Sequence, residues 1–118
     1  MKILILTKNI LAEKSKQQKL QTLGHEVFVS SKYLKDYLEH DPDRKIINQF
    51  NVCVISKTIS DRETNELFSK FHDQTYNFLR EVEEIPEVLI GESHKYVLDN
   101  ASLVELREAI AYLVEKVG

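Results

Sequence analysis

Short apolar runs separated by longer amphipathic stretches are the feature that most limits what this chain can fold into. Ile3 to Leu6 and Val52 to Ile55 are continuous apolar runs, as in strands that are buried on both faces. Residues 11–23 and 102–114 instead carry apolar residues at helical spacing. This alternation is typical of βαβ units, which build a parallel sheet covered by helices.

Further strands and helices complete the expected order. Ser60 with Glu63, and Ser102 with Glu105, have capping-box spacing and predict two helix starts. The apolar residues after Glu63 follow a helical period to Val82, before Pro86 ends the helix. Residues 72–75 interrupt this period, so the helix is predicted either to break there or to continue through them. A shorter helix is predicted around residues 33–38. The remaining strands are predicted at Glu26–Ser30, Val88–Ile90 and Tyr96–Leu98.

The predicted connection between the fourth and fifth strands is short. Gly91–Lys95 alone separate them, whereas a parallel crossover takes about a dozen residues or more. We therefore expect a fifth strand that is antiparallel to its neighbour or forms an irregular edge. The sequence predicts an α/β fold with a doubly wound, mostly parallel five-stranded sheet, in which the fourth helix is shortened or missing.

Composition restricts the class of protein. The 118 residues suit one domain over residues 1–118, and 42% hydrophobic residues suffice for a single core. The net charge of -3 argues against a nucleic-acid surface on this segment. Cys53 is the single cysteine, so no internal disulfide forms and we expect a cytoplasmic location. No apolar run approaches the roughly 20 residues of a membrane helix.

Several stretches resemble the receiver domain of two-component response regulators. The segment MKILILTKN is followed at that family's spacing by Leu23-Gly24-His25-Glu26-Val27. Residues 50–55, FNVCVI, resemble the family's third strand, and residues 96–98, YVL, its fifth strand. Residues 102–106, SLVEL, resemble the start of its last helix. The resemblance implies a flavodoxin-like fold and a role in signal transduction.

The residues that carry out receiver chemistry are replaced after the first strand and after the third strand. The resemblance implies two acids after the first strand, whose oxygens would hold Mg²⁺, and a phosphoacceptor Asp after the third. This chain has Thr7 and Lys8 at the first position and Ser56, followed by Lys57, at the second. We expect this change from acidic to basic side chains to repel Mg²⁺.

Two more family positions also differ. The fourth strand of a receiver ends in Ser or Thr, whereas the strand predicted here ends near Gly91 and Glu92. The fifth strand of a receiver is followed by Lys, and this chain has Asp99. The resemblance therefore implies a pseudo-receiver that needs no phosphorylation, metal or cofactor and is not an enzyme.

Ligands of such sheets bind outside the carboxyl ends of the strands. The simpler interpretation of the residues there is that they are solvated loop ends. The alternative is an anion-binding site, in which lysines and hydroxyls take the place of a phosphoryl group. In either case we expect a crevice edged by two ammonium groups and no carboxylate. The residues expected to gather there are Thr7, Lys8, Asn9, Ser56, Lys57 and Thr58.

A second candidate surface lies on the fifth strand and the last helix. In the family that the chain resembles, this region forms a homodimer face, and Tyr and Arg are enriched at interfaces. The competing interpretation is that these residues lie on the solvent-facing side of the last helix and bind no partner. The candidate interface residues are Tyr96, Arg107, Glu108, Tyr112 and Glu115.

For the other reactive side chains, the sequence favours structural or surface roles over catalysis or metal binding. Cys53 lies within an apolar run and is expected to be a small buried hydrophobe. The four histidines are scattered without the spacing of a metal site. We expect an acidic cluster to be solvated surface, and it consists of Glu81, Glu83, Glu84 and Glu87.

The sequence supports three hypotheses about function. The first is a phosphorylation-independent regulatory domain that acts through a protein partner or a homodimer. The chain ends at residues 117–118, near where receivers pass into a linker, so we expect the N-terminal part of a DNA-binding transcriptional regulator. The alternative is a small flavodoxin-like enzyme or anion-binding protein that uses the strand-end crevice. The third is a structural subunit of a larger assembly.

Overall fold

Five parallel strands form the centre of the fold. The computed structural model describes residues 1–31, 50–70, 78–84, 96–98 and 100–117, and, within these, not the side chains of residues 68, 70 and 112–117. The strands are β1 (Lys2–Leu6), β2 (Glu26–Ser30), β3 (Val52–Ile55), β4 (Phe78–Val82) and β5 (Tyr96–Leu98).

Three α-helices are described with the sheet. A 3-10 turn at Ile10–Glu13 leads into α1 (Lys14–Thr22). The others are α2 (Asp61–Lys70) and α3 (Leu103–Val117). Within the described ranges, none of them combines the length and the apolar character needed to cross a membrane.

The strand order is β2-β1-β3-β4-β5, and every neighbouring pair is parallel. This arrangement confirms the predicted doubly wound sheet. The order reverses between β1 and β3, which is where open α/β sheets form a ligand crevice beyond the strand ends. The expectation of an antiparallel or irregular fifth strand is wrong, because β5 pairs with β4 in parallel over Arg80 to Val82.

The misplaced fourth strand explains that error. Phe78–Val82, where the helical period of the sequence predicts the end of a helix, is β4 and pairs with β3. Residues 83–95 are thus long enough for a parallel crossover. Five residues with apolar side chains at Phe78, Leu79 and Val82 fit a strand or a helix, and pairing with β3 decides between them. The strand predicted at Val88–Ile90, the helix predicted around residues 33–38 and the proposed loss of the fourth helix concern residues outside the described ranges.

The sheet divides the core into two layers. Ile3 and Ile5 of β1 pack on one face with residues of α1 and α3, including Leu20 and Leu106. Their neighbours along the strand turn to the opposite face, where the core includes Leu67 of α2. Because successive side chains of a strand alternate between faces, both layers are apolar only if the whole strand is apolar. This requirement accounts for the continuous apolar runs, and for Cys53, which is buried as predicted.

Helix α1 ends at a glycine in the left-handed conformation. Gly24 has φ +94, and its N–H bonds the Gln21 carbonyl while the His25 N–H bonds the Leu20 carbonyl. This pair of bonds is a Schellman motif, which glycine adopts without the steric cost of a Cβ. The motif turns the chain directly into β2.

Two predicted caps begin α2 and α3. The Ser60 hydroxyl accepts the backbone N–H of Glu63 at 3.2 Å, and the Ser102 hydroxyl accepts that of Glu105 at 3.2 Å. Each serine thereby satisfies a donor of the first turn that has no partner within the helix. The capping-box spacing located both helix starts correctly.

Replacing Leu79 of β4 with alanine tests the revised strand. Leu79 is fully buried, so we expect Leu79→Ala to lower the free energy of unfolding by about 2–5 kcal/mol. Leu11→Ala is the matched control, because Leu11 is 80% exposed and its loss should change stability by less than about 0.5 kcal/mol. Urea denaturation measures both, and equal effects would contradict the burial of β4.

Candidate functional site

The carboxyl ends of β1 and β3 are joined by a network of hydroxyl groups. The Thr58 hydroxyl lies 3.0 Å from that of Thr7 and 3.1 Å from that of Ser56, and it accepts the backbone N–H of Lys8 at 2.9 Å. The Asn9 N–H bonds the Thr7 hydroxyl at 3.1 Å. The loops that follow β1 and β3 therefore meet at the carboxyl ends of these strands, and Thr7, Lys8, Asn9, Ser56 and Thr58 all take part in this network.

Glu13, at the end of the 3-10 turn, reaches into this network. Its Oε1 accepts hydrogen bonds from the Thr7 hydroxyl at 2.9 Å and the Ser56 hydroxyl at 2.5 Å. Its Oε2 accepts a hydrogen bond from Lys16 Nζ at 2.6 Å. The carboxylate therefore ties the ends of β1 and β3 to the start of α1.

Lys16 connects Glu13 to a second carboxylate on β4. Its ammonium forms an ion pair with Glu81 Oε2, while Glu81 Oε1 lies 3.3 Å from the backbone nitrogen of Lys57, which donates to it. We call Glu13, Lys16 and Glu81 the buried triad. Three of its four carboxylate oxygens accept a hydrogen bond, and the fourth, Glu81 Oε2, is in ion-pair contact with the Lys16 ammonium.

The buried triad is almost inaccessible to water. Exposure is 2% for Glu13, 9% for Lys16 and 4% for Glu81. Charges as deeply buried as these persist only when they are paired and hydrogen-bonded. The two carboxylates exceed the single ammonium by one negative charge, and the hydroxyl and backbone donors offset that excess. Among the residues described, no group of three or more His, Cys, Asp or Glu side chains is placed to hold a metal ion.

These contacts set the ionisation of Glu13. Burial alone would raise its pKa, but the hydrogen bonds from Lys16, Ser56 and Thr7 and the Lys16 charge more than compensate. The pKa of Glu13 therefore lies below its ordinary value of 4.5. Glu13 is consequently ionised at neutral pH, where it holds Thr7, Ser56 and Lys16 by hydrogen bonds and is a poor general base.

Two expectations about acidic residues are wrong. The crevice was expected to lack carboxylates, yet Glu13 and Glu81 both point into it. Glu81 was also assigned to a solvated cluster, whereas it is buried on β4. Glu83 and Glu84 of that cluster are exposed, and Glu87 lies outside the described residues.

The two lysines expected to edge the crevice differ in what they contact. The Lys8 ammonium pairs with Glu63 at the start of α2. That hydrogen bond is the main reason why the pKa of Glu63 is lowered. Lys57 is exposed in the loop after β3, and its backbone N–H donates a hydrogen bond to Glu81 Oε1. Among the described residues, the cation at the centre of the crevice is Lys16, which no motif of the sequence marks.

A cavity of about 120 Å³ adjoins the buried triad. Its walls include Lys16, Thr58 and Glu81 together with Ala101 and Leu106 from the other side of the crevice. Drug-sized ligands typically occupy roughly 300–1,000 Å³, so this cavity suits only a small group.

The helical stripe of α1 contained a signal for the missed residues. Glu13, Lys16 and Leu20 are spaced three and four residues apart, so they share the face that packs on the sheet. Because two of these inward-facing positions are charged, this face carries fewer apolar residues than a buried helix face usually does. Such a pattern is expected where a buried ion pair replaces apolar side chains. Glu81 follows Leu79 by two residues and shares its face of the sheet, but only the correct assignment of β4 reveals this.

The candidate interface is only partly described. Arg107 and Glu108 are exposed on α3, and Tyr96 of β5 is half-buried. Tyr112 and Glu115 belong to α3, but their side chains lie outside the described set. Whether this surface binds a partner stays a prediction.

Comparison with known proteins relates the fold to receivers. A response regulator receiver domain protein from Clostridium thermocellum superposes with a TM-score of 0.66 at 14% identity, over 98% of this chain and 94% of that one. The N-terminal domain of a response regulator/sensory box/GGDEF three-domain protein from Carboxydothermus hydrogenoformans gives 0.65 at 11% identity, over all of both chains.

A third similar structure is a yeast Spc42 trimeric coiled-coil segment fused to another structure, with a TM-score of 0.72 at 10% identity, over 99% of this chain and 80% of that one. No protein-family model and no curated protein matches the sequence. At these identities the likeness establishes a receiver-like α/β fold.

The lowered pKa of Glu13 predicts an acid dependence of stability. Above about pH 4.5, Glu13→Gln should be less stable than wild type by about 1–3 kcal/mol, because Lys16 loses a charged partner. Below that pH the unfolded wild type binds a proton more readily than the folded protein, so the advantage of wild type shrinks as pH falls.

Chemical denaturation from about pH 7 to about pH 3 measures this difference. Glu108→Gln, on the exposed face of α3, serves as the control and should track wild type throughout. A gap between Glu13→Gln and wild type that stays constant with pH would contradict the pairing of Glu13.

Proposed function

We propose that this chain is a regulatory, receiver-like domain that works without phosphorylation and acts through protein contacts. The receiver-like fold supports a regulatory role, and the composition of the crevice supports independence from phosphoryl transfer. The observation that carries the proposal is the buried triad, because Lys16 engages the carboxylates of Glu13 and Glu81.

The chemistry of acyl-phosphate formation explains why the triad matters. A phosphoacceptor must be an accessible carboxylate beside a divalent cation, which requires oxygen ligands. The residues at the end of β3 are Ser56 and Lys57, and neither has a carboxylate. Glu13 is buried and its oxygens already accept three hydrogen bonds, so it is a poor substitute acceptor.

The same contacts disfavour an anion-binding site. Glu13 and Glu81 place two negative charges in the crevice, and like charges repel an incoming anion. The Thr7 and Ser56 hydroxyls, which an anion would need as donors, already donate to Glu13. The volume of about 120 Å³ likewise disfavours a drug-sized ligand in this cavity.

Protein contacts remain as the proposed means of action. On α3, Val104 is 51% exposed and lies on the same helical side as the exposed Arg107 and Glu108. An exposed apolar residue beside charged ones is compatible with an interface that excludes water at its centre. We propose that this surface forms a homodimer or binds another protein within a cytoplasmic regulator of transcription.

A phosphoryl analogue tests the proposal. Wild type is titrated with Mg²⁺ and beryllofluoride while backbone amide shifts are recorded by NMR. We expect the signals of Thr7, Ser56 and Lys57 to match those recorded with Mg²⁺ and fluoride alone, because Ser56, at the position of the receiver phosphoacceptor, has no carboxylate to bind the analogue.

A phosphorylatable receiver domain, treated in parallel, confirms that the reagent is active. Saturable shifts at the strand ends of this protein would refute the proposal. A separate titration with inorganic phosphate addresses the anion site, and shifts confined to the loops around Lys8 and Lys57 would favour that alternative.

A further inference from the structure

We infer that the crevice is a cation-binding site filled by the protein's own Lys16 ammonium, and that a small primary ammonium ion can occupy it when that side chain is shortened. The inference rests on the proposed function, because a crevice already filled by its own cation explains why the domain needs no external ligand. It adds the chemical class of ligand that the site accepts.

The acceptors of this site are held in place by groups other than Lys16. The Thr7 and Ser56 hydroxyls fix Glu13 Oε1, and the backbone N–H of Lys57 holds Glu81 Oε1. Each carboxylate therefore keeps an independent contact that orients it. We expect the two Oε2 atoms to stay directed towards the position of the ammonium when Lys16 is shortened.

The chemistry of the site selects a primary ammonium. Lys16 Nζ carries one positive charge and three N–H donors, and it contacts Glu13 Oε2 and Glu81 Oε2. Without it, two buried carboxylates would face each other with no counter-charge, which is strongly unfavourable. A replacement must therefore bring both charge and N–H groups into the space.

The space that shortening would create is continuous with an existing cavity. Lys16 itself lines the cavity of about 120 Å³, so Lys16→Ala enlarges it. Propylammonium carries the same three carbons and ammonium group that this substitution removes. Tetramethylammonium carries the charge but has no N–H group, so it distinguishes hydrogen bonding from charge alone.

Thermal denaturation of Lys16→Ala tests the inference. We expect the midpoint to fall by on the order of 10 °C relative to wild type. Propylammonium chloride at about 0.1 M should restore part of this loss in a saturable manner, whereas tetramethylammonium chloride and sodium chloride at equal ionic strength should not. Lys14→Ala is the matched control, because Lys14 is exposed on the same helix and its variant should neither lose stability nor respond.

A second variant ties the rescue to the two carboxylates. Glu13→Gln/Lys16→Ala/Glu81→Gln lacks the buried charges, so propylammonium should not stabilise it beyond the sodium chloride control. Equal rescue of this variant, or no rescue of Lys16→Ala, would overturn the inference. If Lys16→Ala is unfolded, circular dichroism with and without propylammonium gives the same decision, since the inference predicts that the ion restores helical signal.

The outcome is separable from that of the proposed function. The amine experiment uses Lys16 variants, whereas the beryllofluoride experiment uses wild type. If propylammonium does not stabilise Lys16→Ala and wild type does not respond to beryllofluoride, only the cation site is rejected. A wild type that responds to beryllofluoride would reject phosphorylation independence, whatever the variants do.

Discussion

The Lys16 ammonium, held between the carboxylates of Glu13 and Glu81, is the interaction on which the arrangement of the crevice depends. It connects the first turn of α1 to the end of β4, and Glu13 extends the connection to β1 and β3 through two hydroxyls. Burying three charges is costly, and the cost is offset only while every partner is present. The sheet brings these partners together because its order reverses between β1 and β3.

This arrangement links the fold to the proposed mode of action. In a switch that responds to a ligand, the crevice must be able to adopt two arrangements that the ligand distinguishes. Here the counter-charge is covalently attached to the domain and stays at the site. A buried network of this kind favours one arrangement, which suits a domain that presents a constant surface to its partner.

Much of the fold could be predicted from sequence, and the physical reason is burial on both faces. Ile3–Leu6 and Val52–Ile55 had to be strands inside a parallel sheet, and Ser60 and Ser102 marked helix starts through their capping chemistry. The fourth strand was missed because a five-residue segment with buried residues on both faces is compatible with the two-residue period of a strand and with the 3.6-residue period of a helix. Its parallel pairing with β3 is a tertiary contact that no local pattern contains.

The candidate site was predictable only in part. Hydroxyl and lysine residues directly after two strands could be placed at one crevice, since parallel strands end at the same edge. The carboxylates could not be placed, because Glu81 depended on the missed strand. Glu13 and Lys16 resembled ordinary surface residues of a helix with a thin apolar stripe, and only the packing of α1 on the sheet shows that they face inward.

Hydrogen exchange at the Lys16 ammonium tests the central claim most directly. A buried ammonium that donates a hydrogen bond to Glu13 and forms an ion pair with Glu81 should exchange its hydrogens slowly with water, whereas the exposed Lys14 on the same helix should exchange rapidly. Heteronuclear NMR of the lysine side-chain nitrogens distinguishes the two. We predict a resolved, protected signal for Lys16 in wild type. Exchange at Lys16 as fast as at Lys14 would show that its ammonium reaches solvent, and would contradict this account of the crevice.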